Sequence, residues 1–147
     1  MRTREDILAL VPHQHGMCLL DSVVAWDDAR IHCRTASHLR SDNPLRAHGR
    51  LRAIHLCEYG AQAMAVHGGL LAERSGRSAR PGLLVSLRAV RIECAWLDEL
   101  EGALNVRGDV LLAGSDSWQY ALRIEHAGAC VAQLRAAVML MSDPTPE

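Results

Sequence analysis

The chain contains no lysine and no phenylalanine, and its aromatic residues are three tryptophans and two tyrosines among 147 positions. Without lysine, Schiff-base chemistry is excluded, because no side-chain amine is present to form the imine. Without phenylalanine, a core must be filled by Leu, Val, Ile, Ala and Met. A chain of this length can bury such a core as one domain. Excess charge of one sign is also missing: the formal net charge is −1, which argues against a general nucleic-acid-binding surface. No apolar stretch reaches the ~18 residues of a membrane-spanning helix. Met1 to Pro12 carries acidic residues and too short an apolar run for a signal peptide. The five cysteines, Cys18, Cys33, Cys57, Cys94 and Cys130, include no C-x-x-C pair. Neither a disulfide framework nor a structural zinc site is therefore expected, and the thiols read as small hydrophobes of a reducing compartment. These absences predict a soluble cytoplasmic domain over residues 1–141 with a flexible tail at 142–147, no metal and no cofactor.

What the chain does contain is organised around Gly49 to Leu71. From Ile54 to Leu71 there is no proline, and at 100° per residue Leu56, Cys57, Ala61, Ala63, Met64, Ala65, Val66 and Leu70 fall on almost every side. A helix apolar all round is normally buried. Its polar residues are then informative. His55, Glu58 and Gln62, at i, i+3 and i+7, share a sector roughly 60° wide. Either this sector faces solvent as ordinary surface, or it carries a carboxylate into the core. A buried carboxylate costs several kcal/mol unless paired or hydrogen-bonded, and Gln62, one turn on, is placed to donate to Glu58.

Around that helix the pattern alternates. Thr3 and Asp6 form a capping box for a short helix ending before Pro12. Cys18 to Trp26 and Arg30 to Ala36 read as hairpin strands about Asp27-Asp28. After the helix, Glu73 to Gly82 is a polar loop, followed by four strands: Leu83 to Leu97, Gly102 to Ala113, Ser117 to His126 and Ala129 to Met141. The sum is an α+β layout, one antiparallel sheet curled about one helix. A lone sheet of this kind leaves an open edge, so a symmetric dimer is expected.

Two stretches resemble the hotdog-fold 3-hydroxyacyl-acyl carrier protein dehydratases. One is Pro12-His13-Gln14-His15-Gly16-Met17-Cys18-Leu19-Leu20-Asp21-Ser22-Val23, similar to that family's Pro-His, apolar strand and Asp-x-Val. The other is Glu58-Tyr59-Gly60-Ala61-Gln62-Ala63, similar to its Glu-x-x-Ala-Gln-Ala on the central helix. With Gly49-Arg50-Leu51 ahead of the helix, the chain is most similar to the smaller aryl-polyene-type dehydratase-like proteins. The Gly-His-Phe-Pro-Gly loop of the better-known dehydratases is absent; His48 is followed directly by Gly49.

The resemblance implies a hotdog domain, a double-hotdog dimer, and dehydration of a 3-hydroxyacyl thioester. Losing a C2 proton next to a thioester calls for a base near neutral pKa and a stabilised enolate oxygen, and the hydroxyl leaves with a proton from an acid. The resemblance makes Glu58 the acid. The base is open among His48, His13 and His55, with His55, Gln62 and Gly49 as substrate-binding positions. Free N–H groups near Ala53 to Leu56 would hold the thioester oxygen. His67 reads as core or dimer interface, and Tyr59 and Trp96 as packing. Arg74, Arg77, Arg80, Arg88 and Arg91 would meet a pantetheine phosphate or an acidic carrier protein, or are simply solvated. The implied partners are an acyl carrier protein or coenzyme A thioester and a second hotdog subunit, identical or different. A hotdog thioesterase and a non-catalytic subunit serving an active partner remain the alternatives.

Overall fold

The computed structural model describes residues 1–11 and 17–142. His13, in the Pro-His motif, lies outside the described residues. Thr3 caps helix α1 (Arg4–Leu10): its hydroxyl accepts from the Asp6 N–H, and the Asp6 carboxylate accepts from the Thr3 N–H. This is the expected reciprocal box, and it leaves Ile7 turned into the core. Just before it, Arg2–Thr3 forms a short strand, β1, which the residue pattern had not indicated.

The remaining strands are β2 (Ser22–Trp26), β3 (Arg30–Thr35), β4 (Gly82–Ile92), β5 (Leu104–Ala113), β6 (Ser117–His126) and β7 (Ala129–Leu140), with helix α2 (Leu56–Arg74) between β3 and β4. They form one 7-stranded sheet in the order β1-β2-β3-β5-β6-β7-β4, antiparallel throughout. Alternation sets the inner face: Ile31, Cys33 and Thr35 of β3, Leu104 and Val106 of β5, and Tyr120, Leu122 and Ile124 of β6 are buried. Asp27 closes the β2–β3 turn by accepting the N–H groups of Ala29 and Arg30 at 2.8 and 2.9 Å.

Helix α2 lies against β3, β5 and β6. It is buried on most sides, through Leu56, Tyr59, Ala63, Met64, Val66, His67 and Leu70, as its apolar circumference requires. Gly60 permits the close approach to the sheet, since a Cβ there would stand 2.8 Å from Leu122 Cδ1.

Four boundaries differ from expectation. The strand expected over Leu83 to Leu97 ends at Ile92, and Leu97–Glu99 is a 3₁₀ turn. The helical path starts with a 3₁₀ turn at Ala53–His55. The α-helix itself continues to Arg74, where Arg74 pairs with Asp28 and its guanidinium lies over Trp26 at 5.3 Å. The first long strand begins at Ser22 rather than Cys18, because the Leu19 backbone bonds to side chains in place of a ladder. At the far side of the sheet, β4 has β7 as its one neighbour among the described residues, and Leu83, Leu84, Val85, Leu87 and Val90 are exposed along it. None of the described helices is long and apolar enough to cross a membrane.

Candidate active site

Glu58 is half-buried in the first turns of α2, and Gln62, one turn on, is 2 % exposed. Backbone partners fix which way the Gln62 amide faces. The Leu19 N–H donates to Gln62 Oε1 at 2.8 Å, and Gln62 Nε2 donates to the Met17 carbonyl at 2.8 Å. An N–H can only donate and a carbonyl only accept, so Nε2 is the atom left toward Glu58. It donates to Glu58 Oε1 at 3.2 Å. The sector of His55, Glu58 and Gln62 is thus partly covered by the Met17–Leu19 stretch, and is not an open helix face.

His48 and Gly49 are the two central residues of a tight turn, with φ of 52° and 75°. Ala47 and Arg50 exchange bonds of 2.8 and 3.0 Å across it. Positive φ at both positions is the type I′ geometry, which glycine accepts freely and histidine accepts less often. Arg46 clamps the turn by donating to the carbonyls of Gly49 at 2.8 Å and His38 at 3.0 Å. The turn presents His48 to a shallow pocket of about 190 Å³ that His55, Arg50, Arg52 and Trp96 also line. Arg50 and Arg52 lie over the Trp96 ring at 4.2 and 5.0 Å, and Arg50 also binds Asp98 at 2.7 Å and Glu99 at 2.9 Å. Trp96 is therefore a platform for two guanidiniums, beyond the packing expected of it. His48 and His55 thus come together in that pocket, while Glu58 and Gln62 sit further along the helix and do not line it.

The N–H groups at the start of the helix are mostly engaged, contrary to expectation. Ala53 N–H donates to Ala95 O at 3.0 Å and His55 N–H to Arg52 O at 3.2 Å, while the Leu56 N–H faces the carbonyls of Ala53 and Ile54. The preceding 3₁₀ turn consumes the donors that a bare α-helical start would leave open.

Tyr59 does more than pack. Fully buried, its hydroxyl meets Ser37 Oγ at 2.8 Å and receives Asn43 Nδ2 at 3.2 Å. Burial pushes its phenol pKa up, so it stays protonated and able to donate. Ser37 and Asn43 carry no periodic signal, and Thr35 shows only the alternation of β3, which is why the sequence does not single them out. His67 is core: Nε2 donates to the Asp27 carbonyl at 2.7 Å, and Nδ1 meets the Tyr120 hydroxyl at 2.6 Å. Burial lowers its pKa, which keeps the ring neutral and makes Nδ1 the acceptor. His38 is buried with Nε2 on the Leu100 carbonyl at 2.8 Å. His32 bonds Asn105 and His126 bonds the Glu101 carbonyl. Arg74 is engaged by Asp28, and Arg80 by Asp116 and the carbonyls of Ser115 and Met141. Among the described residues the cysteines are free, and burial drives the Cys33 thiol up to about 12.

Solved structures share this architecture. The dehydratase heterocomplex ApeI:P from Xenorhabdus doucetiae aligns with a TM-score of 0.82 at 22% identity, covering 92% of this chain and 91% of that one. A hypothetical thioesterase with coenzyme A from Streptococcus pneumoniae gives 0.61 at 13% identity over 84% and 88% of the two chains. A putative thioesterase from Shewanella oneidensis gives 0.62 at 12% identity over 94% of each. These likenesses establish the hotdog fold. No curated protein matches the chain. The model of the ApeP-like family, described as ApeP dehydratase, matches residues 5–146, and the chain belongs to that dehydratase family.

Proposed function

We propose that the protein dehydrates 3-hydroxyacyl thioesters, carried on an acyl carrier protein or coenzyme A, to 2-enoyl thioesters. The observation that carries this reading is Glu58 on the central helix with its carboxylate bonded by Gln62, whose amide is locked by Met17 and Leu19. In the reaction a histidine takes the C2 proton, Glu58 gives a proton to the 3-hydroxyl, and the C3–O bond breaks to release water as the C2–C3 double bond forms. The base is His48, held on its clamped turn, or His13 of the Pro-His motif. Single alanine variants separate the two: loss of turnover in one, with the melting temperature held, assigns the role. Substrate contacts are proposed for Gln62, His55 and Gly49.

The partner is a second hotdog subunit, identical or different. The apolar, singly paired β4 supports this, since such an edge invites strand pairing. So does the heterocomplex nature of the ApeI:P relative. The workplace is the cytoplasm. The deciding experiment offers a 3-hydroxyacyl thioester to the purified chain, alone and then with a hotdog partner. An enoyl product supports the reading. A free thiol overturns it in favour of a thioesterase, and no turnover in either condition overturns it altogether. Product only with the partner, unchanged by Glu58→Gln in this chain, assigns the chain a non-catalytic role.

A further inference from the structure

We infer that Tyr59 is a positioning residue that ties the orientation of Glu58 to the loop carrying His48, an inference that rests on the dehydratase reading above. Tyr59 and Glu58 are neighbours in sequence, but they have different hydrogen-bond partners, and a path through a loop joins them. The path is continuous. Asn43 Nδ2 donates to Tyr59 Oη at 3.2 Å and to the Ser37 carbonyl at 3.0 Å, and Asn43 Oδ1 accepts the Leu45 N–H at 2.9 Å. Ser37 Oγ donates to the Leu19 carbonyl at 2.6 Å, and Thr35 Oγ1 donates to the same carbonyl at 2.5 Å. The Leu19 N–H then donates to Gln62, and Gln62 to Glu58.

Proton counting gives this path one direction. The Ser37 hydroxyl has a single hydrogen, and the Leu19 carbonyl, which can only accept, takes it. Tyr59 Oη must then donate to Ser37 Oγ and accept from Asn43, so every hydroxyl in the chain donates once. Ser37, Thr35, Asn43, Gln62 and Leu19 are all 3 % exposed or less, so no water can replace a lost member cheaply. Leu19 is the junction: its N–H holds the amide that orients Glu58, and its C=O is held by the hydroxyl of Thr35 and by that of Ser37, which Tyr59 aligns. Asn43, on the other side of Tyr59, sets the backbone of Leu45, which lines the same pocket as His48.

The test compares Tyr59→Phe with Tyr120→Phe, which removes an equally buried hydroxyl bonded to His67 and apart from this path. Both variants are expected to melt lower by similar amounts. Only Tyr59→Phe should lower kcat, by roughly 10- to 100-fold with KM little changed. Ser37→Ala should reproduce that loss, and combining it with Tyr59→Phe should add little, because both cut one path. The side-chain amide resonance of Gln62 provides a readout independent of turnover. It should shift in Tyr59→Phe and Ser37→Ala and stay in place in Tyr120→Phe. An active wild type whose kcat is unaltered by Tyr59→Phe, or a Gln62 resonance that does not move, would overturn the inference. A wild type inactive with and without a partner would sink the dehydratase reading alone, leaving the resonance to decide this one.

Discussion

Two polar networks cross the core of this protein, and they differ in where they end. Tyr59 and Tyr120 are 0% and 2% exposed, and each hydroxyl bonds a polar side chain with no route to water. The Tyr120 network is closed: His67 joins it to the Asp27 carbonyl, and the edge-on ring of Trp26 flanks it. It fastens α2 to the β2–β3 turn and stops. The Tyr59 network runs on through Ser37 and Leu19 to Gln62 and a half-buried carboxylate. Burial is alike in the two, so it does not identify a functional residue. Connectivity to a partly exposed acid does.

The sharpest break in this comparison is Glu58→Gln. Turnover should fall by ~10²–10⁴ while the melting temperature holds or rises, since glutamine keeps the shape and can still accept from Gln62. Full activity would remove Glu58 from the chemistry. Next comes Gln62→Met, which cuts the link itself. It leaves the buried Leu19 N–H without its partner, at about 1–3 kcal/mol, and removes the Gln62 bond to Glu58, so denaturant unfolding and kcat should both register it.

A smaller effect belongs to the closed network and is read by pH. Burial holds folded His67 below its ordinary 6.5, so the unfolded chain takes up the proton first. Stability from this group is complete above pH 6.5 and declines as the pH drops toward the folded value, by at most about 1.4 kcal/mol per pH unit. His38 is lowered by burial in the same direction. The melting temperature should therefore fall between pH 7 and 5, and less steeply in His67→Gln; an equal slope would show that the ring does not titrate on unfolding. The least effect is expected from Arg2→Ala. Its 2.6 Å pair with Glu73 is exposed and touches neither network, so the change should stay below ~1 kcal/mol.

Much of the fold was written in local pattern. The Thr3–Asp6 box, the β3, β5, β6 and β7 alternation and the apolar circumference of α2 are each set by residues within a few positions of one another, and each is found in the expected stretch. The Glu58–Gln62 pair was legible for the same reason, being one helical turn apart. The sequence by itself thus determined one sheet around one buried helix and an acid with its amide. Only the tertiary structure decided that Ser37 meets Tyr59 across 22 positions and that Gln62 meets Leu19 across 43. It also decided that a 3₁₀ turn uses up the donors at the helix start, and that Arg74, resting on Trp26 and Asp28, draws α2 past Leu71. The physical reason is that periodicity reports which face a residue buries. A hydrogen bond between short polar side chains depends on which elements the packed core brings opposite one another.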